Sequence, residues 1–359
     1  MKNNNNIVIT VTGIRPDFIR MSKVFKKLDT AFNHILVHTG QHYDKLLSDV
    51  FFDELEIRKP DYNLGIGKPG SHHYHQTGEL SVKLIELLKD IENKNKSKIS
   101  CIIFLGDSNS VCSAVQLKKE GYKIAHIEAG MRSGDKRMLE EINRTVCDHC
   151  SDFLFTYHDN YSEKLYRENI TQNVYNYGNT IVEVLKECDD SNVSNYADKK
   201  YIGLDIHRPE NFKYKDRLLN ILRFADDFGK PIKFLNFKRT MQYINEHNIA
   251  LDEFTNIEVV PLMPYKEFIT FQKNAICMIS DSGTAQEEPA LLNTPVIVPR
   301  DYTERPESVE MGCSIMVDAN KKIDVKEAID FIYNFNPITS WLGSGNTSEL
   351  IVNKLKELL

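Results

Sequence analysis

Tryptophan occurs once in these 359 residues, and cysteine only seven times. The thiols, Cys101, Cys112, Cys147, Cys150, Cys188, Cys277 and Cys313, are odd in number and scattered, which argues against a disulfide framework and fits a reducing compartment. Long apolar runs are missing too. After Met1 and its polar neighbours comes a β-like run of only six residues, Ile7–Thr12, too short for a signal segment or a membrane span. The expected location is the cytosol, with no membrane partner. Cationic excess is absent: 45 Lys and Arg stand against 51 Asp and Glu, a net charge of −6, so no nucleic-acid partner is expected. The first strand is not followed by GxGxxG, nor the second by an acidic residue at the ribose position, so no nicotinamide cofactor is expected. The one CxxC, Cys147-Asp148-His149-Cys150, lies in a helical pattern without a second pair; helix core is the expectation, with no metal.

What is present is the balance of a globular protein, 41% hydrophobic and 27% charged. The length favours two domains, because single cores rarely grow this large. Short β-branched runs at Ile7–Thr12, His34–His38, Cys101–Leu105, Lys123–Ile127 and Phe153–Phe155 each precede a polar turn and a helical pattern. That is the rhythm of a parallel sheet covered on both faces. A linker-like stretch from Ser191 to Lys200 precedes a second series: Tyr201–Asp205, Ile232–Leu235, Ile257–Val260, Ala275–Ile279, Pro295–Val298 and Ser314–Val317. The fold class expected is α/β, with two doubly wound Rossmann-like domains. The end of the chain reads as a Gly-rich turn, a Thr/Ser N-cap and an amphipathic helix. Such domains bind ligands beyond the carboxyl ends of their strands, so a cleft between the two is the expected site.

The residues that follow the strands therefore carry the chemistry. Gly13-Ile14-Arg15-Pro16-Asp17 and Arg20 place two arginines near a helix start, an arrangement suited to phosphate. Asp107 and Glu128 each follow a strand, where a carboxylate without a ligand has little packing purpose; helix capping is the competing explanation. Glu140, Glu141 and Arg144 open the next helix. In the second half, one strand ends in Ile206-His207-Arg208-Pro209-Glu210-Asn211. Another runs into Ser280-Asp281-Ser282-Gly283-Thr284, a small-residue loop expected to enter a helix and to hold phosphate oxygens, with Glu288 two turns along that helix placed for a ribose diol. His72-His73-Tyr74-His75 is expected in a loop at the rim of the cleft.

Eight segments in order, TGIRPDFIR (12–20), HTGQHYD (38–44), GDSNS (106–110), HIEAGMRSGD (126–135), EEINR (140–144), HRPEN (207–211), SDSGTAQEEP (280–289) and RDYTERPE (300–307), resemble the non-hydrolysing UDP-N-acetylglucosamine 2-epimerases. The resemblance runs from about residue 7 to the end of the chain. It implies a GT-B architecture: a first domain of residues 1–180, completed by a returning C-terminal helix at 346–359, and a UDP-binding domain of residues 181–345. It implies reversible C-2 epimerisation of a UDP-N-acetylhexosamine without metal or cofactor, in a homodimer. By the same resemblance Asp107, Glu128, Glu140 and His207 are the catalytic set. Arg15, Arg20, Ser282, Gly283 and Thr284 would hold the phosphates, Glu288 the ribose, and Tyr265 or Phe268 the uracil. Arg300, Asp301, Glu304 and Arg305 match a loop facing the sugar. Arg132 and Arg144 fall among the substrate-binding motifs, and Gln41 and His42 lie near the family's allosteric substrate site.

Departures from the pattern concern the sugar. Asp17 and Arg20 replace the family's usual Glu and Lys, and Asn236-Phe237-Lys238-Arg239-Thr240 stands where a THPRT-like segment would carry a histidine. The stretches 18–23 and 51–62 look more like the branch acting on UDP-linked 6-deoxy-L-hexosamines. The alternatives weighed are a hydrolysing epimerase, which would share nearly all these residues, and a GT-B glycosyltransferase, which has no need of the carboxylate set.

Overall fold

The computed structural model describes residues 3–41, 52–67, 72–188 and 199–359, with side chains from residue 6 onward. His42 and most of the linker-like stretch lie outside them. The chain divides into two compact units, residues 1–184 with 342–359, and 185–341.

The first unit is built on a seven-stranded sheet of order β3-β2-β1-β4-β5-β6-β7, every pair parallel. Its strands are β1 (Asn3–Thr12), β2 (Phe32–His38), β3 (Tyr62–Asn63), β4 (Ile99–Leu105), β5 (Ile124–Ile127), β6 (Phe153–Thr156) and β7 (Val174–Asn176). The β-branched centres of β1, β4 and β5 are buried on both faces because helices cover the sheet, and they pack into a core that includes Ile9, Ile102, Phe104 and Ile124. Each such side chain contributes about 1.5–3 kcal/mol on burial. The edge strands β3 and β7 escape the sequence reading because two or three residues leave no periodicity to detect.

The second unit repeats the plan with six parallel strands ordered β10-β9-β8-β11-β12-β13. They are β8 (Tyr201–Asp205), β9 (Ile232–Leu235), β10 (Ile257–Val260), β11 (Ala275–Ser280), β12 (Val296–Val298) and β13 (Ser314–Met316). Leu204, Phe234, Ile279 and Ile297 belong to its core.

The C-terminal helix, Thr347–Leu358, packs on the first helix of the chain, Arg15–Ala31, and so belongs to the first unit. Its N-cap is Asn346, not the Thr or Ser expected. The Thr347 hydroxyl instead donates to the Tyr177 carbonyl at 2.8 Å, and the Ser348 backbone N–H and hydroxyl both donate to Glu183. Tertiary docking outcompetes local capping here. The histidine-rich segment is likewise not a loop from His73 onward: it forms the first turn of the helix His73–Asn95, where Asn109 bridges His73 and Gln76. Cys147 is buried core within the helix Leu139–Cys150, and among the described residues no cysteine is in a disulfide. Among the described residues no helix is long and apolar enough to cross a membrane.

Both sheets change direction between two central strands, β1 and β4 in the first and β8 and β11 in the second. In open α/β sheets the backbone diverges beyond the carboxyl ends of such a pair and leaves a crevice.

Candidate functional site

In the first unit three carboxyl groups gather beyond the ends of β1, β4 and β5. Asp17, in the first turn of Arg15–Ala31, accepts the backbone N–H groups of Gly13 (3.0 Å) and Ile14 (3.3 Å), which caps that helix from inside. It is fully buried; desolvation first, then the charges of Asp107 and Glu128, push its pKa up to about 7, against the two lowering backbone bonds. Asp107 follows the left-handed Gly106 at the end of β4. Its carboxylate is paired with the buried guanidinium of Arg144, while Asn143 donates to its carbonyl at 2.9 Å.

Glu128 follows β5 directly, with φ +70°, in the left-handed region that a residue bearing a Cβ rarely occupies. Such backbone costs of order 1–3 kcal/mol and persists only where the surroundings fix it. Arg20 fixes it: its guanidinium, 3% exposed and 5.9 Å from the Tyr157 ring centre, pairs with the Glu128 carboxylate. The carboxylate approaches Gly106, with Oε1 3.7 Å from where a Cβ there would sit. Arg15 opens the helix at its first position, but Arg20 lies inside it, facing the protein and not the helix end.

Beneath these loops His126 is buried with both ring nitrogens on acceptors, Nδ1 on Asp148 at 2.6 Å and Nε2 on the Gly106 carbonyl at 2.7 Å. A ring with two acceptors must carry two protons, and its pKa is raised well above the ordinary value: burial lowers it, but Cys147 and Asp148 more than offset that. Asp148 also accepts from the Gly130 N–H (3.1 Å) and Arg132 (2.7 Å). Arg132 is further gripped by both oxygens of Glu168, at 2.8 and 2.7 Å. Arg132 thus serves the framework in this structure. Glu140 sits half-buried in the first turn of Leu139–Cys150, beside Glu141, which caps Ser133 and Gly134. Gln41 lies against Gly13, with its Oε1 3.4 Å from where a Cβ there would sit.

In the second unit His207 lies just beyond the end of β8. Its Nδ1 is 2.9 Å from Asp205 and 3.5 Å from Asp281, and its ring is 4.9 Å from that of Phe237. After β11, Ser282 and Thr284 share a hydroxyl bond at 3.0 Å. The helix expected next is broken into a 3-10 turn, Thr284–Gln286, and a four-residue helix, Glu288–Leu291, because Pro289 has no N–H to continue the turn. Glu288 therefore starts a separate helix. It accepts from the Tyr265 hydroxyl (3.1 Å) and from Gln272 (3.2 Å), and the Tyr265 ring is itself buried. Phe268 is half-buried and stacks on Phe271 at 6.1 Å.

The loop 300–305 braces the small-residue loop. Arg305 pairs with Glu287 and, at 2.8 Å, with Glu304; a Cβ on Gly283 would meet both the Glu304 carboxylate and the Arg305 guanidinium. Arg300 is 1% exposed, 3.1 Å from Glu304 and 4.7 Å from the Tyr302 ring centre. Asp301 accepts from Arg217 at 2.9 Å. Asp17 and Asp281 stand within motifs and Asp205 ends a strand pattern, but none of the three is given a role by the sequence. A carboxylate two residues before a histidine is visible in it, whereas the approach of Asp281 depends on β11 lying beside β8.

Two parallel α/β units with a returning terminal helix, each carrying its polar side chains at a switch point, define an enzyme of the GT-B-like class. The family described as UDP-N-acetylglucosamine 2-epimerase matches residues 26–356. A UDP-N-acetylglucosamine 2-epimerase homolog of Methanococcus maripaludis is 36% identical over 98% of this chain and 99% of the relative. The UDP-2,3-diacetamido-2,3-dideoxy-D-glucuronate 2-epimerase of Pseudomonas aeruginosa is 30% identical over 89% of this chain and 91% of its own. Among solved structures, Methanocaldococcus jannaschii UDP-GlcNAc 2-epimerase in complex with UDP-GlcNAc and UDP aligns with TM-score 0.85 and 33% identity, covering 98% of this chain and 99% of that one. The chain belongs to the UDP-N-acetylglucosamine 2-epimerase family.

Proposed function

We propose that the chain inverts C-2 of a UDP-linked 2-acetamido hexose by expelling and recapturing UDP. The observation that carries this reading is the pair Asp107 and Glu128, ending adjacent strands β4 and β5 with a buried arginine on each. The C-2 hydrogen of such a sugar has no neighbouring carbonyl, so direct deprotonation faces a prohibitive barrier. Breaking the C-1–oxygen bond as the C-2 proton leaves gives a 2-acetamidoglycal, with the bonding pair departing on UDP. Returning a proton to the opposite face of C-2 while UDP re-bonds to C-1 gives the epimer.

Asp107 and Glu128 are the proton-transfer pair, and Glu140 assists them. Arg20 and Arg144 pair with the two carboxylates and aim them. Arg15, Ser282, Gly283 and Thr284 hold the diphosphate, His207 meets its developing charge, and Phe268 packs on uracil. Glu288 contacts the ribose and the loop 300–305 the sugar. Gln41 belongs to substrate regulation. Seven cysteines outside any disulfide support a cytosolic location. Leu139, Ile142 and Val146, exposed on one face of a helix, support a homodimer through the first unit.

Incubation in deuterium oxide with UDP-GlcNAc, UDP-linked 6-deoxy-L-hexosamines and a UDP-diacetamido-uronate tests the reading. Deuterium at C-2 of an intact UDP-sugar is expected, and Asp107→Asn should abolish it while UDP affinity stays within about threefold. Absence of exchange with every donor would refute the reaction, and free sugar would mean hydrolysis instead.

A further inference from the structure

His207 is held by more than the family reaction explains. Its Nδ1 lies 2.9 Å from Asp205 Oδ1 and 3.5 Å from Asp281 Oδ1, and its side chain is 31% exposed. The oxygens of both carboxylates already accept other hydrogen bonds. Asp205 Oδ2 accepts the Ser280 hydroxyl at 2.8 Å; Asp281 accepts the backbone N–H groups of His207 (3.0 Å) and Arg208 (3.1 Å) and the Asn211 amide (2.9 Å). The three side chains bring ligand atoms within 4.8 Å of one another, close enough for a cation, yet these bonds leave the imidazole as the group that supplies the positive charge. Phe237, where the family pattern would carry a histidine, lies 4.9 Å from the ring at 41°.

We propose that Asp205 is a positioning residue for His207: it grips Nδ1 and turns Nε2–H outward as a proton donor to the departing diphosphate, while Asp281 and Phe237 fix the ring. The inference rests on the UDP-expulsion reading above. Burial lowers the His207 pKa, but Asp205 and then Asp281 raise it further, with Arg208 opposing, so the net direction is up. Of the two neighbouring carboxylates, Asp205 is the one that raises His207 more. A histidine with a raised pKa keeps its donor proton below that pKa and loses it as the pH rises through it. The aromatic ring of Phe237 favours the charged form.

The test uses the full-length protein with isotope-labelled histidine. The NMR titration of His207, assigned with His207→Gln, is expected to have its midpoint above that of solvent-exposed histidine in the wild type. In Asp205→Asn it should fall by about one pH unit or more. The alkaline limb of kcat should move to lower pH by the same interval, with UDP affinity within about threefold, and Asp205→Glu should restore it in part. A wild-type His207 titrating at or below the ordinary value would overturn the proposal even if the Asn variant failed to fold. So would an Asn variant with unchanged midpoint and pH profile. The titration needs no turnover: absence of C-2 exchange would remove the epimerase reading and leave the midpoint standing as a separate result.

Discussion

Gly283→Ala probes the loop proposed to hold the diphosphate. A Cβ at this position would come within 2.6 Å of an Arg305 guanidinium nitrogen and closer still to a Glu304 oxygen. Neither neighbour gives way freely. Arg305 is 4% and Glu304 2% exposed, and both belong to an ion-pair cluster with the fully buried Glu287. Overpacking of a well-filled interior costs about 1–3 kcal/mol. Parting a buried ion pair costs about 3–5 kcal/mol, so the loop is expected to move instead. At about 2–4 °C per kcal/mol for a unit of this size, the melting temperature should fall by about 2–12 °C. The moved loop displaces the N–H groups and the Ser282 and Thr284 hydroxyls together, so UDP binding by calorimetry should weaken at least about tenfold. Asp107 and Glu128 keep their arginines. A variant with wild-type melting temperature and wild-type UDP affinity would refute the argument that this loop is braced from below and grips the nucleotide.

Two further expectations concern the first unit. Gly78 is exposed within the helix His73–Asn95, and a Cβ there meets nothing within 4 Å; Gly78→Ala should therefore raise stability by about 0.5–1 kcal/mol in urea denaturation without changing turnover. Asp17 titrates near pH 7 when folded and near 4 when unfolded, so it withdraws stability as the pH rises between the two. Asp17→Asn keeps an oxygen for the Gly13 and Ile14 N–H groups, and its melting temperature relative to the wild type should climb from pH 4.5 to pH 8. A constant difference across that range would place Asp17's ionisation elsewhere.

The interior strands were legible because burial on both faces imposes β-branched runs: β8 and β9 have the limits the sequence suggests, and β4 and β11 extend them by one or two residues, while the largely exposed edge strand β10 also has the limits suggested by its Ile-Glu-Val-Val run. Motif order carried the family. Local chemistry misled where another part of the fold competed for the same side chain. Arg20 looks like a helix-start cation, and only the fold shows that it also pairs with Glu128, more than a hundred residues away; Thr347 looks like a cap and bonds Tyr177.

The sequence by itself determined two parallel α/β units and the polar residues that end their strands, since both follow from hydrophobic period and from what a strand end can bury. Tertiary structure alone decided the state of those residues. Strand order sets β1 against β4, β4 against β5 and β8 against β11, and only those adjacencies bring Asp17 close to Asp107 and Glu128, His126 beneath Gly106, and Asp281 to His207. Charge, strain and proton occupancy depend on distances across the sheet, and a linear chain does not contain them.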